Sequence, residues 1–253
     1  MQHKFIFICG LHRSGTSLLY DILKEQKNIS GHTKTNVPKD EGQHIQTVYP
    51  IAKKFGGPGK FGFNKKAYLD EKSNLITDAN KKLLFEQWSK YWNLNNDFLL
   101  EKSPPNIIKS LFLQKMFPNS YFITIYRHPV ATSLATKKWS KTSHFSLIDH
   151  WITCHKQWNK DKLNLKNYME FSYEELVGNT PDVLKKISLL LKTEISNPLT
   201  HIKKDINEKY FALWRKNRRN LFYMRNIKKA EKKFEADINK FKYSFKETYI
   251  NNS

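Results

Sequence analysis

The residues best suited to chemistry stand in one short loop near the start of the chain, Gly10-Leu-His-Arg-Ser-Gly15-Thr-Ser. Glycines allow the backbone to turn sharply at both ends of this loop. An apolar run from Phe5 to Cys9 precedes it, and leucine and isoleucine recur at helical spacing directly after it. The pattern predicts a strand, a tight turn and a helix in succession. Because the first N–H groups of a helix have no partners within the helix, such a loop is a site for an anion.

The spacing of this loop is that of a phosphate-binding P-loop, with one departure. Thr16 stands where the lysine that contacts the terminal phosphates would be, and the basic residue of the loop is Arg13 instead. We also find no apolar strand that ends in an aspartate suited to magnesium. An ordinary glycine turn is the structural alternative. The pattern favours an anion site that uses no metal.

Three later apolar runs, at 98–100, 121–126 and 168–172, predict further strands, and helical patterns separate them. Each run leads into polar residues: Glu101-Lys102-Ser103-Pro104, Tyr126-Arg127-His128-Pro129 and Tyr173-Glu174-Glu175-Leu176. Open α/β sheets bind ligands at the carboxyl ends of their strands. The side chains that follow these strands therefore become candidates for the same site as the loop.

Taken together, the loop and the three polar segments resemble the sulfotransferases, enzymes that use 3′-phosphoadenosine-5′-phosphosulfate (PAPS). The segments occur in the order of that family, and the resemblance spans about residues 4–191. It implies an α/β, three-layer, P-loop-like fold with a mainly parallel central sheet flanked by helices. We expect a single domain over 1–253, with a core at about 4–191 and a basic helical C-terminal segment at about 201–245.

The resemblance also implies which residues would hold the donor. The 5′-phosphosulfate would be bound by the loop, through His12, Arg13, Ser14, Gly15, Thr16 and Ser17. Arg127 would hold the 3′-phosphate, to which a guanidinium can donate two hydrogen bonds, and Tyr173 would lie near the adenine. The family has a serine eight residues after this arginine, but the chain has Ala135 there, so Ser133 or Thr136 beside it is the candidate for that contact.

Catalysis by such an enzyme requires a base for the acceptor proton and cations for the charge that develops on the leaving oxygen. Arg13 and Lys102 are the candidate cations. The loop after the first helix supplies the candidate bases, which are His32, Asp40, Glu41 and His44. We favour Glu41 over His32, and the other two remain open.

The function indicated is transfer of a sulfuryl group from PAPS to a hydroxyl or amine, leaving 3′-phosphoadenosine-5′-phosphate (PAP), with no metal. One alternative is a P-loop-type kinase or nucleotide hydrolase that uses Arg13 in place of the lysine. Another is a non-catalytic binder of polyanions or nucleic acid, since the net charge is +21. Aromatic residues alternate with Arg215, Lys216, Arg218 and Arg219 in a late basic segment, and the resemblance implies that these four are secondary candidates for the 3′-phosphate.

Composition places few limits on the partners. Two cysteines argue against a disulfide framework, and His150 and His155 are badly spaced for a shared metal. The chain shows no apolar leader and no run long enough to span a membrane, so we expect a cytoplasmic protein. The acceptor could be a small molecule, a glycan or a peptide. Nucleic acid is the less favoured partner, and the sequence does not indicate the oligomeric state.

Overall fold

The computed structural model describes residues 3–203 and 205–246 of the chain. Within them, five strands form one parallel sheet in the order β2-β3-β1-β4-β5. The strands are β1 (Lys4–Cys9), β2 (Ile29–Gly31), β3 (Phe98–Lys102), β4 (Ser120–Tyr126) and β5 (Tyr168–Ser172). The α/β class with a parallel central sheet is therefore confirmed.

Helices follow the strands in the alternating order that a parallel sheet requires. The helices are α1 (Thr16–Lys24), α2 (Asp78–Ser89), α3 (Ser110–Met116), α4 (Pro129–Thr136), α5 (His144–Asp161), α6 (Tyr173–Gly178), α7 (Thr180–Leu191), α8 (Glu208–Arg219) and α9 (Leu221–Asn239). No helix in the described part of the chain is both long and apolar enough to cross a membrane.

The first strand lies at the centre of the sheet because it is apolar on both of its faces. Phe5 and Phe7 pack on one side, in a cluster with α2, α3, α4, α5, α8 and α9. Ile6 and Ile8 pack on the other side, with α1, α6 and α7. Alternate residues of a strand point to opposite faces, so this one strand contributes to both cores and defines three layers.

The parallel register brings the polar ends of the three central strands together. Ile8 of β1 lies opposite Lys102 of β3, and Cys9 lies opposite Thr124 of β4. On the other side of β4, Tyr126 pairs with Ser172 of β5. The loop after β1 therefore lies between the segments that carry Lys102, Arg127 and Tyr173.

Two elements are not apparent from local sequence pattern. Residues 29–31 form β2, and three residues are too few to show a period. After β3 the chain forms a 3₁₀ segment, Pro104–Ile108, followed by the separate helix α3. The two segments are separated at Lys109, whose φ of −136° and ψ of 12° are not helical.

The last two helices cover the face of the sheet that carries Phe5 and Phe7. Tyr210, Phe211 and Trp214 of α8 are buried in the same cluster as these phenylalanines, and so are Ile227 and Phe234 of α9. Helix α9 packs along α5. The basic segment after α7 is thus packed on the rest of the fold through its apolar residues.

Burial of histidines gives the fold a predicted dependence on acid. Desolvation lowers the pKa of six histidines from 6.5 to about 3 or 4, namely His12, His32, His128, His144, His150 and His155. In the unfolded chain the same imidazoles take up protons below pH ~6.5. The unfolded state therefore binds more protons between these values, so the free energy of unfolding falls as the pH drops from about 6.5 towards 4.

His155→Phe tests one member of this group, because Phe keeps the stacking on Trp151 and cannot titrate. We expect the slope of unfolding free energy against pH, between about pH 4 and 6.5, to become shallower by at most about 1.4 kcal/mol per pH unit, the value for one proton. Urea denaturation across this range measures it. His201→Asn, at an exposed histidine, is the matched control and should leave the slope unchanged. An unaltered slope in His155→Phe would contradict the burial argument.

Candidate active site

The loop between β1 and α1 has a backbone conformation that its glycines make possible. Gly10 and Gly15 have φ values of 151° and 106°, and a Cβ atom on Gly15 would lie 2.6 Å from Cδ2 of Tyr173. A Cβ atom on Gly10 would lie 2.5 Å from the carbonyl oxygen of Ile125. Arg13 also has a left-handed backbone, with φ 70°. The loop is thus held closely against β4 and α6 at both ends.

The start of α1 offers free backbone donors to the space above the loop. Gly15 precedes the helix, and no described side chain caps its first turn. The amides of Thr16, Ser17 and Leu18 are among the first four of the helix, which have no carbonyl partner within it. These amides and the positive end of the helix dipole favour a bound anion.

A cleft of about 470 Å³ opens over this loop. The residues that line it come from the loop, from the ends of three strands and from the segment leading into α8: His12, Arg13, Gly15, Thr16, Ser17, Leu18, Lys39, Glu41, Pro104, Arg127, Trp139, Tyr173, Lys203, Ile206, Lys209 and Tyr210. Positive side chains predominate among them, and Glu41 is the acidic residue in this set.

Not every predicted loop residue faces the cleft. Ser14 is fully buried, and its hydroxyl donates to the carbonyl oxygen of Leu11 at 2.7 Å, so it stabilises the turn. His12 lines the cleft, and desolvation lowers its pKa to about 4. The guanidinium carbon of Arg13 lies 5.1 Å from the centre of the Trp139 ring. The loop thus presents one uncharged imidazole and one cation stacked on an aromatic ring.

Arg127 is a buried cation in the wall of the cleft, with only 5% of the residue exposed. Its Nε donates to Oδ1 of Asn207 at 2.8 Å, and its Nη1 donates to the carbonyl oxygen of Arg13 at 3.0 Å. The rings of Tyr173 and Tyr210 lie 4.4 and 5.3 Å from the guanidinium carbon. Nη2 is buried with no hydrogen-bond partner among the described residues.

The charge of Arg127 is compensated only indirectly. Glu174 accepts hydrogen bonds from Nδ2 of Asn207 at 2.5 Å, from the hydroxyl of Tyr243 at 2.6 Å and from the backbone N–H of His128 at 3.1 Å. The amide of Asn207 therefore stands between this carboxylate and the guanidinium. Burial lowers the pKa of Arg127 from its ordinary value, which means that the site favours an added negative group.

A second cation, Lys102, is fully buried at the end of β3. Its Nζ donates to the carbonyl oxygen of Lys39 at 3.0 Å and lies 3.2 Å from Oε1 of Glu41. Gln43 donates from Nε2 to the other oxygen of Glu41 at 2.7 Å. These contacts fix the orientation of the Glu41 carboxylate at the edge of the cleft.

The other candidate bases lie away from the cleft lining. The ring of His32 is stacked on Trp92 at 4.5 Å, its Nδ1 is 3.4 Å from the carbonyl oxygen of Asp40, and burial lowers its pKa to about 3. Asp40 accepts hydrogen bonds from Thr35. Nε2 of His44 lies 3.7 Å from Oε2 of Glu41, beside the proposed base.

The residues around position 135 do not line this cleft. The hydroxyl of Ser133 is buried without a described partner, and Ser133 and His12 both line a small separate void of about 10 Å³. Thr136 donates to the carbonyl oxygen of His12 at 3.4 Å. Ala135 is itself buried. A contact from Ser133 or Thr136 to a ligand in the cleft stays a prediction.

Sequence reasoning missed several residues of the cleft. Lys203, Lys209 and Tyr210 line it, whereas none of the four later basic residues named as secondary candidates does. Trp139 and Asn207 carried no signal in the sequence, because each contacts the site only through the packing of distant segments. A lysine within the irregular stretch 201–207 could have been considered as a ligand contact, because this stretch leads into α8, which begins at the cleft.

Metal ligands are not grouped in the described ranges 3–203 and 205–246, where no three or more His, Cys, Asp and Glu side chains could hold an ion together. His150 instead accepts a hydrogen bond from the N–H of Gly62 at 3.0 Å, and its Nε2 lies 3.7 Å from Sγ of Cys154. The aromatic ring of His155 is stacked on Trp151. These histidines serve packing within the described structure.

Several solved sulfotransferase structures have a similar fold. The enzyme from Alicyclobacillus acidocaldarius is 16% identical, with 92% of this chain and 96% of that one covered and a TM-score of 0.50. The sulfotransferase domain of the Synechococcus PCC 7002 olefin synthase is 18% identical, with coverage of 83% and 84% and a TM-score of 0.50. That of the curacin biosynthetic pathway is 16% identical, with coverage of 77% and 75% and a TM-score of 0.50.

Sequence comparison gives the family more directly than these distant structures, which are informative about the fold alone. A search of curated protein sequences finds no significant match. The sequence model described as "Sulfotransferase family" matches residues 6–197. This match covers more than half of the 253 residues and includes the loop and the three strand ends that form the cleft. The chain therefore belongs to the sulfotransferase family.

Proposed function

We propose that the chain transfers a sulfuryl group from PAPS to a hydroxyl or amine of an acceptor. The observation that carries the proposal is Arg127, a buried guanidinium with an unpartnered Nη2 in the wall of the cleft. A buried cation without its own carboxylate is costly unless an anion joins it. A donor with a second phosphate, at a distance from the one that reacts, meets this requirement.

In the proposed complex, the 5′-phosphosulfate lies over the loop and the 3′-phosphate lies beside Arg127. The amides at the start of α1 and the side chains of Arg13, Thr16 and Ser17 would bind the first group. Tyr173, whose ring forms part of the cleft wall, would contact the adenine. Lys203 and Lys209, from the other wall, would add positive charge around the nucleotide. No metal is needed to neutralise the donor.

The chemistry proposed is a single in-line displacement at sulfur. The acceptor oxygen or nitrogen forms a bond to sulfur while the bond from sulfur to the 5′-phosphate oxygen breaks, and the electron pair leaves with PAP. Glu41 would take the acceptor proton, because its carboxylate lies at the cleft edge and is oriented by Lys102 and Gln43. Arg13, which lines the cleft, would stabilise the charge on the leaving oxygen, whereas Lys102 is buried against Glu41 and would act through that carboxylate.

His32 is the weaker candidate for the base. Its ring is stacked on Trp92, it is fully buried, and it does not line the cleft. A buried imidazole whose pKa is about 3 is also a poor acceptor for an alcohol proton. These observations favour Glu41.

Binding of PAP without metal is the first test of this function. We expect calorimetry to detect binding of PAP in the absence of magnesium, and Arg127→Lys to weaken it about 10- to 100-fold because the forked donor is lost. Arg219→Ala, which changes an exposed arginine outside the cleft, is the control. Magnesium-dependent binding of ATP with no binding of PAP would overturn the proposal in favour of a P-loop-type kinase or hydrolase.

Asn207→Asp gives a sharper test of the buried charge. The new carboxylate would accept the hydrogen bond from Nε of Arg127 and compensate its charge, while lying against Glu174. We expect PAP binding to fall by at least about tenfold, since the phosphate would compete with a permanent anion. Asn207→Ala should weaken binding less, because it removes a positioning contact and adds no charge. Equal effects of the two substitutions would argue that charge is not the cause.

Glu41→Gln tests the base. We expect transfer of radiolabelled sulfate from PAPS into a cell extract to fall about 10²- to 10⁴-fold, as for loss of a general base, with PAP binding retained. His32→Phe, which keeps a ring against Trp92, should retain transfer. Undiminished transfer in Glu41→Gln would remove this residue from the mechanism.

A further inference from the structure

The turn between α8 and α9 exposes two large apolar side chains next to each other. Leu221 is 82% exposed and Phe222 is 89% exposed, and all the residues from 218 to 223 are exposed. Isolated exposed apolar residues are common, but an adjacent leucine and phenylalanine at such exposure form a patch that the fold itself does not use.

This turn is well formed, because the helices on either side are anchored. Phe211 and Trp214 of α8 and Ile227 of α9 are buried in the main core. Asn220 caps α9, where its Oδ1 accepts a hydrogen bond from the N–H of Phe222 at 2.9 Å. Helices α8 and α9 therefore form an anchored helical hairpin with Leu221 and Phe222 at its tip.

The sequence on both sides of this tip is rich in basic residues and has no acidic ones. The stretch 209–230 contains no aspartate or glutamate, and its basic residues are Lys209, Arg215, Lys216, Arg218, Arg219, Arg225, Lys228 and Lys229. Arg218 pairs with Glu231 of α9 at 3.3 Å. No carboxylate of the described residues lies within ion-pair distance of Arg215, Arg219 or Arg225, so these guanidinium groups are available to an external anion.

We infer that this hairpin tip, residues 215–225, docks on the surface of an anionic lipid bilayer. Leu221 and Phe222 would enter the boundary between headgroups and acyl chains, and the free arginines would contact lipid phosphates. The combination of an apolar tip with surrounding cations fits this surface in particular. Nucleic acid would bind the arginines but would leave the leucine exposed, and an apolar protein groove would leave the arginines without partners.

The inference does not depend on the proposed reaction, but the tip lies at the end of α8, a helix that also contributes residues to the cleft. Lys209 and Tyr210 at the start of α8 line the cleft, and the tip follows its end. At 1.5 Å per residue, Tyr210 and Arg219 are separated by roughly 14 Å along the helix axis. A docked tip would therefore hold the cleft close to the lipid surface.

Cosedimentation of the full chain with vesicles tests the inference. We expect binding to phosphatidylcholine vesicles that contain phosphatidylserine and little binding to phosphatidylcholine alone. Leu221→Ser with Phe222→Ser should weaken binding to the anionic vesicles by at least about tenfold, because the apolar contribution is lost. Leu199→Ser is the matched control, since Leu199 is 94% exposed elsewhere on the surface. It should bind as the unsubstituted chain does.

A charge variant, Arg215→Gln with Arg219→Gln and Arg225→Gln, should remove the preference for anionic vesicles. Lys53→Gln with Lys54→Gln and Lys65→Gln, at exposed lysines of another segment, is its control and should keep the preference. Equal binding of the serine variant and the unsubstituted chain would overturn the inference. So would sedimentation velocity showing self-association that the serine variant abolishes, because the tip would then be covered by a second copy.

Discussion

The guanidinium of Arg127 is a buried positive charge, and the elements around the cleft are arranged about it. It is bonded to the loop through the carbonyl of Arg13 and to the C-terminal segment through Asn207. Two tyrosine rings flank it, and Glu174 compensates it only across an amide. Such a charge costs free energy unless an anion joins it, as the 3′-phosphate of the donor would in the proposed complex. The same contacts join the loop, α6 and α8 into one site.

Lys102, on the opposite side of the loop, differs from Arg127 because it already has an acidic partner. Lys102 is completely buried but lies directly against Glu41, so this cation is paired before any ligand arrives. The two cations therefore suit different purposes. In the proposed reaction, the unpaired guanidinium would favour a bound phosphate, whereas the paired ammonium would orient the Glu41 carboxylate. One wall of the cleft would then serve donor binding and the other proton transfer.

Much of this arrangement could be predicted from the sequence, because it depends on local pattern. The apolar run 5–9, the glycines of the loop and the helical spacing after it each depend on nearby residues alone, and they predicted β1, the turn and α1. Strand β2 could not be predicted in this way, since three residues carry no period. Trp139, Lys203 and Asn207 reach the cleft only because helices α4, α5 and α8 pack on the sheet. No local pattern records such long-range contacts, and an isolated asparagine carries no sign of its partner.

The net charge of +21 also has a different meaning once its location is known. Arg127 and Lys102 are buried, whereas Arg215, Arg219 and Arg225 are exposed around the turn after α8. The unpaired Arg127 can be reached only by an anion small enough to enter the cleft, and the low dielectric constant there strengthens the attraction. Exposed cations act together on an extended anionic surface and are screened by salt. The net charge therefore includes cations with two separate physical roles, and only the geometry distinguishes the two groups.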